Sequence, residues 1–161
     1  MKTLYLIRHA KSDQTITGSD FDRPLNDRGF KDAPKMAERL LNKKVHPDLI
    51  ISSPAKRALT TAKTFAETLN YGFKNIYEEK LIYEASTATL LKVINHINDK
   101  HEVVLLFGHN PGITFIINYL TNNKLDNLPT CGVFKIEFEL DSWKLVSEGA
   151  GKAAYLDYPK K

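Results

Sequence analysis

The chain has 161 residues, 42% of them hydrophobic, a single cysteine and a formal net charge of +4. That size and apolar content suit one ordinary domain over residues 1–161 and exclude a disordered chain. No apolar run approaches a membrane span, the lysines and arginines form no nucleic-acid-binding run, and Cys131 alone cannot make an intrachain disulfide.

The opening residues Met1-Lys2-Thr3-Leu4 lead straight into Tyr5-Leu6-Ile7 with no secretory apolar region, so a cytoplasmic location is expected. Thr3 to Ile7 is a β-prone run that predicts the first strand. A helix follows from about Asn26 to Leu41, with Pro34 inside it, where proline either kinks a helix or moves its start downstream. Asp48 to Ile51 predicts a second strand. Ser53-Pro54 then offers a serine cap and a proline at the first helical position. Ala58, Leu59, Ala62, Phe65, Ala66 and Leu69 recur at helical spacing, and Asn70 and Gly72 mark the exit.

Asn75 to Tyr77 is a weaker strand, and Thr87 to Ile97 carries Leu90, Leu91, Ile94 and Ile97 on one helical face. Val103 to Phe107 is continuously apolar, as a strand buried on both faces should be. Asn110-Pro111 predicts the start of a last helix through Ile113, Ile116, Ile117 and Leu120. Val133 to Leu140 alternates apolar and polar residues, and Asp141-Ser142 predicts a turn into a returning strand from Trp143 to Val146. The fold expected is a three-layer α/β/α sandwich with a mostly parallel sheet and a C-terminal antiparallel hairpin.

Three segments share a pattern of apolar strand, then polar residues, then loop or helix. They are Leu6-Ile7-Arg8-His9-Ala10-Lys11-Ser12, Ile50-Ile51-Ser52-Ser53-Pro54-Ala55-Lys56-Arg57 and Leu106-Phe107-Gly108-His109-Asn110-Pro111-Gly112. Ligands of open α/β sheets bind outside the carboxyl ends of the strands, so these segments can face one crevice. Arg57 falls in the first turn of its helix, where the macrodipole disfavours a cation unless an anion is held there too. His109 precedes another helix start with free N–H groups. Two arginines and two histidines at such a place suit a phosphoryl group.

Arg8-His9-Ala10 resembles the Arg-His-Gly signature of the histidine phosphatase superfamily, whose fold is that of phosphoglycerate mutase. Ser52-Ser53-Pro54-Ala55-Lys56-Arg57-Ala58 and Gly108-His109-Asn110-Pro111-Gly112 resemble the segments of its second arginine and second histidine. Arg23-Pro24-Leu25-Asn26-Asp27-Arg28-Gly29 and Asn127-Leu128-Pro129-Thr130-Cys131-Gly132 are similar to segments of the SixA branch, the phosphohistidine phosphatases. The resemblance implies that His9 attacks phosphorus and carries it as phosphohistidine, that Arg8 and Arg57 bind the phosphoryl oxygens, and that His109 hydrogen-bonds them. It implies no metal and no cofactor.

Ala10 replaces the signature glycine and would crowd the turn, and Thr15 stands where many members have an asparagine. Lys11 and Ser12 remain candidate phosphate ligands, with Ser12 preferred, beside Asn110 and Arg23. Glu84 stands roughly where members keep an acidic general acid; its alternative role is to favour the next helix start. Asp20 and Asp22 are weaker rivals, better suited to shaping a loop. The substrate expected is a phosphorylated protein carrying phosphohistidine, or a small phosphomonoester with the same mechanism. A phosphate-binding module without catalysis is the remaining reading, and Ala10 alone favours it. The oligomeric state is not legible.

Overall fold

The computed structural model describes residues 1–161. Its elements are β1 (Lys2–Arg8), α1 (Asp27–Asn42), β2 (Leu49–Ser52), α2 (Lys56–Thr68), β3 (Tyr77–Glu78), α3 (Thr87–Asn95), β4 (Val103–Gly108), α4 (Gly112–Thr121), β5 (Val133–Phe138) and β6 (Lys152–Asp157). They form one six-stranded sheet in the order β3-β2-β4-β1-β5-β6. The pairs among β1, β2, β3 and β4 are parallel, whereas β5 runs antiparallel to both β1 and β6.

Strand alternation separates two cores. Leu4, Leu6, Val104 and Leu106 face α3 and α4 through Leu90, Ile94, Ile113 and Ile117. Tyr5, Ile7, Leu105 and Phe107 face α1 and α2 through Met36, Leu40, Phe65 and Ala66. This is the expected three-layer α/β/α arrangement. β4, the continuously apolar run, lies inside the sheet between β2 and β1.

Several boundaries differ from the sequence reading, each for a physical reason. α1 starts at Asp27, capped by Asn26 Oδ1 accepting from Gly29 N (2.9 Å), and it runs through Pro34. Pro34 lies on the exposed side, where water can meet the carbonyl left unpaired one turn earlier. α2 is not capped by Ser53. It begins at Lys56 after Ala55, with no side-chain cap; the Ser53 hydroxyl accepts from Ala55 N ahead of the helix and also meets His109 Nε2. α4 likewise begins at Gly112 without a side-chain cap, Pro111 preceding it. Ser86, by contrast, caps α3 through Thr89 N (3.2 Å).

The C-terminal hairpin takes another form. Trp143–Leu145 is a single 3₁₀ turn, and the strand that returns beside β5 is β6. The apolar residues of 143–146 were mistaken for strand because Trp143 and Val146 are core residues. Trp143 is fully buried, and its indole N–H donates to His101 O (2.7 Å). No helix is long and apolar enough to cross a membrane.

Trp143→Ala is therefore expected to lower the unfolding free energy by about 3–5 kcal/mol. Leu145→Ala, on the exposed side of the same turn, should change it by less than about 0.5 kcal/mol. Denaturant titration of both variants checks this, and equally small effects would show that the turn lies outside the core.

Candidate active site

β1 and β4 are neighbours in register, with Arg8 opposite Gly108. The residues that follow them, His9 and His109, consequently meet with ring centroids 5.2 Å apart. β2 lies on the other side of β4 and delivers Ser52, Ser53 and the start of α2, where Arg57 is the second residue. Arg8, His9, Ser12, Arg57 and His109 line one cavity of about 570 Å³, together with Gln14, Asp20, Arg23, Tyr83, Glu84 and the Asn110–Gly112 turn.

The His9 ring has a defined tautomer. Its Nδ1 lies 2.7 Å from the Ala10 carbonyl, which can only accept, so Nδ1 carries the proton. Nε2 then presents its lone pair, on which Arg57 Nε donates at 3.3 Å. Burial pushes the His9 pKa down to about 3; the Ala10 hydrogen bond opposes it, and the neighbouring His109, Arg57 and Arg8 each lower it by less. The ring is neutral at ordinary pH, as a nucleophile must be.

His109 is held by Ser53, whose Oγ lies 2.8 Å from Nε2 and also accepts from Ala55 N (3.2 Å). When the Ser53 hydroxyl donates to Nε2, the His109 proton sits on Nδ1. Burial, then Arg57, Arg8 and Arg23, lowers the His109 pKa to about 3. Four buried side-chain nitrogen or oxygen atoms lack a hydrogen-bond partner: Arg8 Nε, Arg23 Nε, His109 Nδ1 and Tyr155 Oη. Three of the four belong to residues lining this cavity, and all three are donors suited to an anion.

Arg8 is steadied from the opposite side. Its Nη1 donates to Leu128 O (2.9 Å), an oxygen shared with Asn110 Nδ2 (3.3 Å). Thr114 Oγ1 donates to Asn110 Oδ1 (2.7 Å) and accepts from Leu128 N (3.0 Å), and Asn110 also bonds Asn127. The side chain of Asn110, a residue of the cavity lining, is thus engaged with the 127–128 loop and with Thr114. α4 can start this close because Gly112 has no side chain: a Cβ there would lie 2.6 Å from Ala85 O.

Other expected residues divide. Ser12 is buried at the cavity wall and accepts from Gln14 (3.2 Å). Lys11 is exposed and outside the cavity, so its expected role as a phosphate ligand is not supported. Its carbonyl instead binds Asn26 N (2.9 Å) and sits where a Cβ on Gly29 would come within 2.2 Å. Ala10 is fully buried in the core beneath α1 and α2, so its methyl group does not crowd the cavity. Thr15 is exposed and donates to Asp13 (2.7 Å), while Gln14 reaches the cavity in its place. Glu84 lines the mouth with φ of 56°, a left-handed conformation in a residue that is not glycine.

The sequence suggests Asp20 only as a loop-shaping rival to Glu84 and does not single out Tyr83. Asp20 O accepts from Arg57 Nη1 (2.6 Å), and Asp20 Oδ2 accepts from Arg57 Nη2 (3.0 Å) and Tyr83 Oη (2.6 Å). Arg23 pairs with the other carboxylate oxygen and donates to Gln14 Oε1 (2.6 Å). Tyr83 packs edge-on between Phe21 (5.3 Å) and His109 (5.5 Å). Asp22 remains a loop residue, accepting from the Ser19 hydroxyl (2.8 Å). No three or more His, Cys, Asp or Glu side chains gather as a metal-ligating group.

Histidines held near pKa 3 in the folded protein and near 6.5 when exposed make stability depend on pH. Between those values the unfolded chain binds protons that the folded chain does not, so stability falls as pH falls below about 6.5. Each histidine contributes up to about 1.4 kcal/mol per pH unit. Denaturant midpoints from pH 7 to 4 should show this slope and His9→Gln should reduce it, whereas no change in slope would mean that the His9 ring titrates as if solvated.

The family model of the histidine phosphatase superfamily (branch 1) matches residues 4–87. A Hydrogenobacter thermophilus protein provisionally named phosphoserine phosphatase 2 is 35% identical over 133 residues, covering 81% of this chain but only 58% of that one. An Agrobacterium tumefaciens structure provisionally named phosphohistidine phosphatase SixA superimposes with a TM-score of 0.82 at 26% identity, over 98% of both chains. A SixA protein histidine phosphatase bound to tungstate shares the fold, with a TM-score of 0.80 at 20% identity over 98% of this chain and 97% of that one. The Arg8-His9 and His109 strand ends, with Arg57 against His9, thus sit in a matching frame, and the chain belongs to the histidine phosphatase superfamily, branch 1.

Proposed function

We propose that the protein is a phosphatase that works through a phosphohistidine on His9. The observation that carries this reading is the neutral His9 Nε2, its lone pair fixed by the Ala10 carbonyl behind it, facing a cavity rich in unpartnered buried donors. In the first step Nε2 forms a bond to phosphorus while the bond to the leaving group breaks. Arg8, Arg57 and His109 hold the phosphoryl oxygens, and Ser12 is their neighbour at the wall. In the second step water attacks phosphorus, the N–P bond breaks, and inorganic phosphate leaves with His9 restored. Charge clamps of this kind supply most of the stabilisation in phosphoryl transfer.

The preferred substrate is phosphohistidine on a signalling or phosphotransfer protein. Support comes from the end-to-end likeness to the Agrobacterium SixA structure. An imidazole leaving group also demands little acid assistance, which agrees with a mouth where Glu84 is exposed. The second reading, a small phosphomonoester, draws on the relative named for phosphoserine. There Glu84 would act as general acid toward the alkoxide and then as base toward water. Its left-handed backbone supports a functional role, because a residue other than glycine costs about 1–2 kcal/mol in that conformation.

The wild-type protein is expected to release phosphate from a phosphohistidine peptide in the presence of a chelator, faster than from a phosphoserine peptide. His9→Ala should lose this activity while keeping its circular dichroism spectrum. Undiminished turnover by His9→Ala would remove His9 as nucleophile, and a preference for phosphoserine would favour the small-substrate reading. Glu84→Gly should leave stability within about 1 kcal/mol of wild type, since relief of backbone strain offsets the added chain entropy. The same variant should slow phosphomonoester hydrolysis by about 10²-fold or more and phosphohistidine hydrolysis far less. Equal rates for variant and wild type on both substrates would leave Glu84 with no catalytic part.

A further inference from the structure

The cavity contains two places for an anion, and the protein fills one of them itself. The deeper place is bounded by His9 Nε2, Arg57 Nε, and the unpartnered Arg8 Nε and His109 Nδ1. His9 and Arg57 are each only 7% exposed there. The shallower place is formed by Arg57 Nη2, Arg23 Nη2 and the Tyr83 hydroxyl, and it is taken by the Asp20 carboxylate. Asp20 is far more open, its side chain 47% exposed, so it stands toward the cavity mouth.

We propose that Asp20 determines substrate specificity by occupying, with its own carboxylate, the subsite where a carboxylate of a small phosphorylated acid would bind. This rests on the phosphatase reading above, with the phosphoryl group in the deeper place. Arginine pairs and a phenolic hydroxyl are the groups that recognise a carboxylate, and in this protein they are already paired. A free phosphorylated amino or hydroxy acid would bring a second negative charge next to Asp20 and find Arg57 Nη2 and Arg23 Nη2 already engaged by it. A phosphorylated side chain of a protein brings no such carboxylate, because its carboxyl carbon is locked in a peptide bond. The arrangement thus favours protein-borne phosphoryl groups over small phosphorylated acids without any lid.

The loop that carries Asp20 supports the assignment. Asp20 sits in a 3₁₀ turn capped by Ser19, and the adjacent Phe21 packs against Tyr83. The carboxylate is thereby delivered to Arg57 by local structure and is not a chance surface contact. Its backbone carbonyl also binds Arg57 Nη1 at 2.6 Å, an interaction that survives replacement of the side chain.

The test compares phosphoserine with phosphoethanolamine, which has the same phosphate and amine but no carboxylate. Affinities are measured by calorimetry in the non-hydrolysing His9→Ala background, so that no turnover is needed. With Asp20 present, phosphoserine should bind no better than phosphoethanolamine. Asp20→Ala, and the shape-preserving Asp20→Asn, should raise the ratio of phosphoserine to phosphoethanolamine affinity at least tenfold. An unchanged ratio, with inorganic phosphate still bound, overturns the role of Asp20 and leaves the phosphatase reading intact. A protein with Asp20 in place that already prefers phosphoserine tenfold overturns it as well. If inorganic phosphate itself does not bind, the phosphoryl subsite fails and both readings fall.

Discussion

The proposed chemistry depends on a hydrogen bond that His9 makes through the ring nitrogen that would not attack phosphorus. His9 Nδ1 donates to the carbonyl of the very next residue, and that donation leaves the lone pair on Nε2. The carbonyl must therefore be held still. Ala10 N donates to Thr61 Oγ1 in α2, His9 N donates to Gly108 O in β4, and His9 O accepts from Cys131 N. Three separate parts of the chain fix two residues of backbone. A rotation of the Ala10 carbonyl would free Nδ1 and release the ring from a single orientation, so the fold acts on the chemistry through backbone rather than through a chain of charged partners.

The electrostatics follow from burial. Arg8 and Arg57 are partly desolvated, which lowers both of their pKa values, and they border two imidazoles driven to the neutral form. Positive charge is thus concentrated where, in the proposed mechanism, the neutral His9 would meet a negatively charged phosphoryl group. Arg57 stands at the N-terminal turn of α2, where the helix dipole opposes it. The carbonyl and carboxylate of Asp20 offset that cost. The same contacts leave Arg57 Nε directed at His9, so the loop anion both compensates the arginine and orients it.

The sequence made the frame legible because the frame is written in short-range patterns. β1 and β4 are apolar runs ending in a histidine, and their adjacency follows from the common rule for open α/β sheets. His9, His109, Arg8 and Arg57 could be found in that way. Asp20 and Tyr83 could not: they lie 63 residues apart, and an aspartate in a polar loop has the same local signature whether it shapes a turn or binds an arginine. Ser53 was misread for a related reason. Serine before proline is a sound capping signal, but α2 starts at Lys56, and the Ser53 hydroxyl serves a contact that no local pattern reveals, to His109 across 56 residues. Trp143 was placed in a strand because an isolated apolar cluster carries no period long enough to separate a strand from a buried turn.

The departures from the family pattern acquire a physical meaning once their surroundings are known. Ala10 occupies the place of a glycine, yet its methyl group points into the core shared with α1 and α2, where an added apolar group is accommodated rather than resisted. The exposed Lys11 leaves phosphate recognition to groups that water reaches poorly, and a hydrogen bond from such a group is worth more than one from a solvated lysine. Single departures such as the left-handed Lys44 and Asn70 occur elsewhere, but several local rules are broken together at the residues that line the cavity: a left-handed glutamate, unpartnered buried guanidinium nitrogens, and an arginine at the wrong end of a helix. Each of these costs folding stability, and their convergence on one cavity is what separates a working site from an incidental cluster of charges.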